Sequence, residues 1–468
     1  MEYVCMGCGH RFPVNRLVYT CPDCGDVLLL EDLDFDDMKE KPAAYWRELF
    51  DQRRATRTRA LRGVFRFYEL MAPVLEEEDI VYLGEGDTPI IEAAPALQKH
   101  VGMRFAYKND GQNPSASFKD RGMAGAYSYL KSLVRANGWK DVLTVCASTG
   151  DTSAAAAMYG AYVGEPIRTV VLLPHGKVTP AQLSQPLGSG AQVLEIPGVF
   201  DDCMKVVEYL ADHYRVALLN SKNSWRVLGQ ESYVYEAAQW FSWDLAGKAL
   251  FMPIGNAGNI TSMLSGCIKM RRLGIIEEMP HIVGVQSEHA DPVWRYYSQP
   301  AGKRAYSPVR VQPSVAQAAM IGNPVSFPRV RNLVEKFESM GGRFDVVQVT
   351  EQAIMDAMIL ANRHGHIACT QGGESFAGML RARESGVVSG EEFCILDSTA
   401  HALKFAGFQN MYFEDSFPAE YGVHARAELV NAPRLLFSAE ERAAMQEQEF
   451  TRAAAMAVAD AAGISSKD

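Results

Sequence analysis

Lys119 sits in "NPSASFKDRG" (113–122), a segment where a cation is unwelcome. Met123, Ala126, Tyr127, Leu130, Leu133 and Val134 follow at intervals of three and four, the spacing of one helix face. Ser117 stands at the expected N-cap, and Asp120 three residues later completes an acidic variant of a capping box. Lys119 is then in the first helical turn, where the helix dipole disfavours positive charge. An exposed lysine there reaches solvent or pairs with Asp120 at small cost. A lysine whose charged form is destabilised becomes instead a nucleophile, able to form an imine with a carbonyl. The second use demands a carbonyl partner and a place to hold it.

A second set of reactive residues opens the chain. Cys5, Cys8, Cys21 and Cys24 form C-x2-C, twelve residues, C-x2-C. Two thiolate pairs at this spacing can share one tetrahedral ion. Gly9 and Gly25 each follow a second cysteine, where the turn can require positive φ. The pattern predicts a zinc ribbon over residues 1–35, with short strands at 16–20 and 27–31. Four cysteine ligands leave no position for water, so the metal would be structural. Two unrelated turns, or a redox C-x-x-C pair, are the alternatives.

The elements that must position Lys119 come next. From about residue 100, apolar β-rich runs alternate with alanine-rich helical stretches. Candidate strands are 141–147, 168–174, 191–197, 249–255, 281–286, 344–350 and 392–398. This alternation predicts an α/β architecture with largely parallel sheets, whose ligands bind beyond the carboxyl ends of strands. Three such ends carry small polar turns. Ser148, Thr149, Gly150, Asp151 and Thr152 follow the first strand, at a helix start that can bind a carboxylate or phosphate or can simply be capped. Gly255, Asn256, Ala257, Gly258 and Asn259 ("GNAGN") form a strand-loop-helix turn whose amides can converge on a phosphate. Asp397, Ser398 and Thr399 precede another helix, as a cap or as hydroxyls facing a ligand ring nitrogen.

The chain has 468 residues, 48% hydrophobic and 22% charged, enough for two or three domains with large cores. A formal charge of −10 weighs against nucleic acid as a partner. No apolar run reaches the length of a membrane span, and "MEYVCMGCGH" lacks the features of a secretory signal, so a cytoplasmic location is expected. The basic run within 51–70 reads as a solvated helix face or a subunit contact.

Taken together, "LGEGDTPI" (83–90), "NPSASFKDRG", "ASTGDTS" (147–153), "GNAGN", "AMIGNP" (319–324) and "DSTAH" (397–401) occur in the order seen in threonine synthases, which they resemble from about residue 80 to 410. These are pyridoxal-phosphate enzymes of the second fold type, some with an N-terminal zinc ribbon. The resemblance implies two parallel-sheet, three-layer subdomains with the cofactor between them. It places the catalytic domain at 36–420, the smaller subdomain at roughly 125–230, and a helical tail at 421–468. Lys119 matches the lysine that forms the imine with the cofactor aldehyde. The GNAGN amides match the phosphate cradle, Thr399 the hydroxyl at the pyridine nitrogen, and Asp151 a neighbour of the 3′-oxygen. "NSKNSWRVLGQ" (220–230) resembles a substrate-phosphate stretch, with Arg226 as the clamp and Ser221 and Asn223 beside it. Lys108 is a second candidate, and Ser148, Thr149 and Thr152 fall at the substrate side. Structural ion pairing is the alternative for Arg226 and Lys108.

Two positions depart from the common pattern. Many relatives carry asparagine where this chain has Asp151; two anionic oxygens in contact would repel, so one should hold a proton. Ala116 replaces a glycine and reaches positive φ less easily, so the loop should differ there. The expected reaction converts O-phospho-L-homoserine and water to L-threonine and phosphate, in a homodimer. The alternatives are a same-fold enzyme using phosphoserine, such as cysteate synthase, a serine/threonine dehydratase, or a non-catalytic zinc-ribbon binding protein.

Overall fold

The computed structural model describes residues 1–148, 150–175, 180–198 and 200–465. Three sheets organise the chain. The first is small and antiparallel, in the order β2-β1-β3, from β1 (Glu2–Cys5), β2 (Arg11–Pro13) and β3 (Leu28–Glu31). The expected strand at 16–20 is absent except for one bridge, Thr20 to Val27. Its backbone is used otherwise: the Tyr129 hydroxyl approaches the carbonyl oxygens of Val14 and Arg16 at 3.1 and 2.8 Å. The first C-x2-C turn instead sits between β1 and β2.

The largest sheet runs β12-β11-β10-β13-β5-β4, from β4 (Ile90–Glu92), β5 (Phe105–Asn109), β10 (Lys248–Pro253), β11 (His281–Ser287), β12 (Arg343–Val349) and β13 (Phe393–Ser398). All its pairs are parallel except β4 with β5. The central strands read as continuous apolar runs because helices cover both faces; every residue of β11 is buried. The third sheet is fully parallel, in the order β8-β7-β6-β9, from β6 (Val142–Ala147), β7 (Ile167–Pro174), β8 (Gln192–Ile196) and β9 (Val216–Leu218). The two parallel sheets and their helices form the α/β body with two sheet-containing subdomains. Among the described residues, no helix is long and apolar enough to cross a membrane.

Two helices matter most for the cleft between the sheets. The Lys119–Asn137 helix and the Ser224–Gln230 helix meet almost backbone to backbone. A Cβ on Gly229 would lie 2.1 Å from the Arg121 carbonyl oxygen, and one on Gly125 would lie 2.6 Å from that of Trp225. Glycine is required at both positions, and the contact fixes Arg226 relative to Lys119. The basic run is only partly solvated: Val64, Phe65, Phe67, Leu70 and Met71 are core, while Arg53 makes two bonds of 2.6 Å to Glu69. Apolar burial thus takes half of a stretch that reads as a charged face.

Candidate functional site

The Lys119 helix begins at Lys119, with Phe118 at the cap position and no side-chain cap. The expected Ser117–Asp120 box does not form. Asp120 instead accepts hydrogen bonds from the Ser115 amide and hydroxyl, both at 2.6 Å, and the buried Ser117 hydroxyl is left without a partner. Ser115 lies on the near side of the tight turn at Ala116, so its donors reach the carboxylate first. Ala116 itself adopts φ 62°, the left-handed conformation that the glycine pattern requires. The expected change in this loop is therefore not a change of backbone geometry at this residue. The strained conformation, worth about 1–2 kcal/mol for an alanine, is over-determined by its neighbours. The His401 amide donates to the Ala116 carbonyl at 3.0 Å, and Ser117 bridges to Ala400.

These contacts join the lysine loop to the end of β13. The Phe118 amide donates to the Thr399 carbonyl at 2.8 Å, and the Thr399 hydroxyl lies 3.4 Å from the Cys369 thiol. Lys119 and Thr399 are thereby held in one unit. Burial pushes the Lys119 amine down from the ordinary lysine value to about 8; the Arg226 charge pushes the same way, against Asp151, Asp397 and Cys146. A neutral amine is accessible near neutral pH, as a lysine nucleophile requires.

β10 delivers the GNAGN turn. Ala257 has φ 62°, and the helix Gly258–Arg272 starts immediately after it. A Cβ on Gly255 would lie 3.0 Å from the Ala319 Cα, so the turn lies flush against the 318–319 backbone. The Asn256 carbonyl accepts from Ser326 at 3.1 Å, and the Asn259 amide group donates to Asp397 at 2.8 Å. The Asn259 side chain is thus committed to Asp397, and burial raises the Asp397 carboxyl well above its usual range. A helix start of fifteen residues with small residues at its mouth fits a phosphate. Unpartnered buried polar atoms of Ser117 and Ser398 fit further polar contacts of a ligand. Together with the lowered lysine, this donor set suits an aldehyde-bearing aromatic phosphate.

The helix Asp151–Val163 is capped by the Gly150 backbone rather than by a side chain. Ser148 accepts from the Gly150 amide at 3.3 Å, and Thr152 is partly exposed at the helix start; Thr149 lies outside the described residues. Asp151 is met by a cation that the sequence reading did not include. Lys404 Nζ is 2.8 Å from Asp151 Oδ1 and donates to the Ser115 carbonyl at 3.0 Å. This ion pair sets a positive charge beside the carboxylate, which offsets repulsion from a second anionic oxygen.

Arg226 is 3% exposed. Its guanidinium donates to the Leu219 carbonyl at 3.1 Å, and among the described residues its Nε has no partner. Among the described residues no carboxylate pairs with it, and burial lowers its guanidinium to about 10. Asn223 is the N-cap of its helix: the side chain accepts from the Trp225 and Arg226 amides and donates to the Leu218 carbonyl. Asn223 therefore places Arg226, with one Nδ2 hydrogen left over, and the Ser221 carbonyl accepts from Arg329 at 2.8 Å. Lys108 is wholly buried and bonded to Glu236 at 2.7 Å and to Thr88. Its charge is already matched by a carboxylate buried with it.

The four cysteine sulfurs lie within 4.8 Å of one another. Cys5 and Cys24 Sγ are 3.4 Å apart and Cys8 and Cys21 Sγ 3.6 Å, near the ~3.8 Å edge of a tetrahedron built on Zn–S bonds of about 2.3 Å. Gly9 and Gly25 have φ 74° and 77°, as the knuckles require.

Arg329 and Lys404 escaped sequence reasoning. Lys404 carried a signal, since it lies five residues beyond Thr399 in the same loop. Arg329 carried none, because its partners lie 107 to 301 residues away apart from Ser326.

Residues 81–398 match the pyridoxal-phosphate dependent enzyme family. The chain is 34% identical over 402 residues to the threonine synthase of Methanocaldococcus jannaschii, covering 86% of this chain and 92% of that one. It is 34% identical over 397 residues to chloroplastic threonine synthase 2 of Arabidopsis thaliana, covering 84% and 74%. In structure it resembles threonine synthase from Escherichia coli, with a TM-score of 0.64, 18% identity, and 91% and 96% of the two chains covered.

Proposed function

The chain belongs to the pyridoxal-phosphate dependent enzyme family, among the threonine synthases, and from that premise we propose that it converts O-phospho-L-homoserine and water to L-threonine and phosphate. One observation carries the substrate assignment. Arg226 is a buried guanidinium with no anion of its own, beside an amine whose charge it suppresses. A phosphate dianion would complete it, through a charge-assisted and potentially bidentate contact.

Pyridoxal phosphate, when bound, supplies an aldehyde and a ring that spreads carbanion charge. The chain supplies the rest. Lys119 would hold the cofactor aldehyde, and its amine would take the substrate's α-proton and return protons along the substrate chain. The amides of Gly255 to Asn259 hold the cofactor phosphate at the helix start. Thr399 would offer a hydroxyl to the cofactor's ring nitrogen, a neutral partner that favours the unprotonated ring. Asp151, paired with Lys404, would be the neighbour of the cofactor's 3′-oxygen. Arg226 retains the substrate phosphate as it leaves the γ carbon, while water adds at the β carbon. Ser148 and Thr152 lie at the start of the Asp151 helix, where free amides suit the substrate carboxylate, and Thr149 is the sequence candidate between them. Cys5, Cys8, Cys21 and Cys24 hold one structural zinc ion. The five cysteines outside the zinc site form no disulfide, which suits a reducing, cytoplasmic compartment, and a homodimer is the expected assembly.

The test is product analysis. Holoenzyme given O-phospho-L-homoserine should release threonine and phosphate in equal amounts. Turnover of phosphoserine alone would move the protein to the phosphoserine-using relatives, whose substrate is one carbon shorter.

A further inference from the structure

Arg329 lies in the helix Phe327–Ser339, is fully buried, and takes no part in the chemistry above. It has no carboxylate partner among the described residues and spends its donors on backbone carbonyls. Nε donates to Leu28 of β3 at 2.8 Å. Nη1 donates to the Ser221 carbonyl and the Ser326 hydroxyl, and Nη2 to the Lys222 carbonyl, all at 2.8 Å. One side chain therefore bolts the four-cysteine sheet to the turn that precedes Asn223 and Arg226.

Other contacts converge on the same turn. The Ser224 hydroxyl donates to the same Leu28 carbonyl at 2.8 Å. The Trp225 indole donates to the Tyr3 hydroxyl at 3.1 Å, and Tyr3 donates to Tyr129 at 3.0 Å. Tyr129, on the Lys119 helix, stacks on Trp225 at 4.2 Å and 11°. The cysteine-bearing sheet thus touches both helices that carry the key cations. A buried arginine held by three carbonyls and a hydroxyl, with no carboxylate among the described residues, is a costly way to join two elements. It gives a rigid, planar fork where apolar packing would allow sliding.

We propose that Arg329 is a positioning residue for the phosphate subsite: it ties the N-terminal sheet to the Asn220–Asn223 turn and so fixes where Arg226 stands. This rests on the proposed function only for the identity of the anion. The ribbon then acts on substrate affinity through a 2.8 Å bridge rather than through chemistry of its own.

The test uses holoenzyme of wild type, Arg329→Met, Arg329→Lys and Tyr3→Phe. It reads kcat and KM for O-phospho-L-homoserine, inhibition by inorganic phosphate, amide exchange over 219–226, and the visible absorbance of the cofactor. Arg329→Met should raise KM and the phosphate inhibition constant about tenfold or more, with kcat within about threefold. Exchange at 219–226 should quicken while cofactor absorbance stays at the wild-type level. Arg329→Lys should recover part of the affinity, and Tyr3→Phe should shift it the same way by a smaller factor. Wild-type KM, phosphate inhibition and exchange in Arg329→Met would overturn the proposal. So would a loss of kcat and cofactor absorbance with no change in KM. Should Arg329→Met fail to fold, wild-type values in both remaining variants overturn it equally. If wild-type protein ignores phosphohomoserine, the proposed function falls, and exchange with phosphate binding still decides the role of Arg329.

Discussion

Two groups of buried cations lie within one body, and they are solved in opposite ways. Around Thr88, Lys108 and Arg121 meet Asp110 and Glu236 in a closed set of bonds between 2.7 and 3.0 Å, two positive groups against two negative ones. By contrast Arg226 has a carbonyl, and Arg329 carbonyls and one hydroxyl, but neither has a carboxylate partner among the described residues. Burying a charge is costly unless it is paired. A closed set is therefore scaffold. An open one is either held by carbonyl dipoles, as Arg329 is, or is completed by a substrate anion, as proposed for Arg226 with its unpartnered Nε. Exposure alone does not separate them, since all four cations are at most 3% exposed.

The comparison breaks most visibly at Arg226. Arg226→Leu should lower kcat/KM for O-phospho-L-homoserine on the order of a hundredfold or more, with cofactor absorbance retained. Loss of cofactor with an unchanged kcat/KM would reverse the assignment. Lys108→Met should do the opposite: it removes one member of a closed set and costs on the order of 3 kcal/mol of stability in a urea melt. The KM of the folded fraction should stay at the wild-type value; a raised KM would return Lys108 to the substrate site.

Arg226 also acts on Lys119. Its neutral form is the nucleophile, and its pKa of about 8 lies below the ordinary lysine value. Capture of pyridoxal phosphate by cofactor-free protein should therefore quicken as pH rises and level off above about 8. In Arg226→Leu one of the charges that lowers this pKa is gone, so the midpoint should move to higher pH. An unmoved midpoint would separate the two residues electrostatically. The smallest effect concerns the cysteine sheet. Cys8→Ser should lose its zinc, measured by metal analysis, and quicken amide exchange over 1–35, while absorbance at Lys119 persists. Wild-type protein free of zinc after reducing, chelator-free purification would remove the metal assignment.

The body's seven candidate strands all form, each within two residues of its apolar run, because buried parallel strands are marked by local hydrophobicity alone. β5 was not legible. It carries Lys108 and ends at Asn109, and only the closed ion set beneath it makes a charged strand tolerable. β9, three residues long, gives too little pattern to read. At the site, the lysine segment, GNAGN and "DSTAH" were legible because each is contiguous and ends at a strand or helix boundary. The capping of Lys119's helix was misread, since Ser115 outcompetes Ser117 for Asp120 once Ala116 turns left-handed. The roles of Lys404 and Arg329 depend on carbonyls and carboxylates far away in sequence, and no local spacing encodes them.

The claim that Lys119 carries the cofactor can be tested directly by borohydride reduction of the holoenzyme followed by peptide mapping. The account predicts one pyridoxyl label, on the peptide containing Lys119, and a Lys119→Ala variant with neither label nor threonine formation. A label on another lysine, or undiminished turnover in Lys119→Ala, would contradict it.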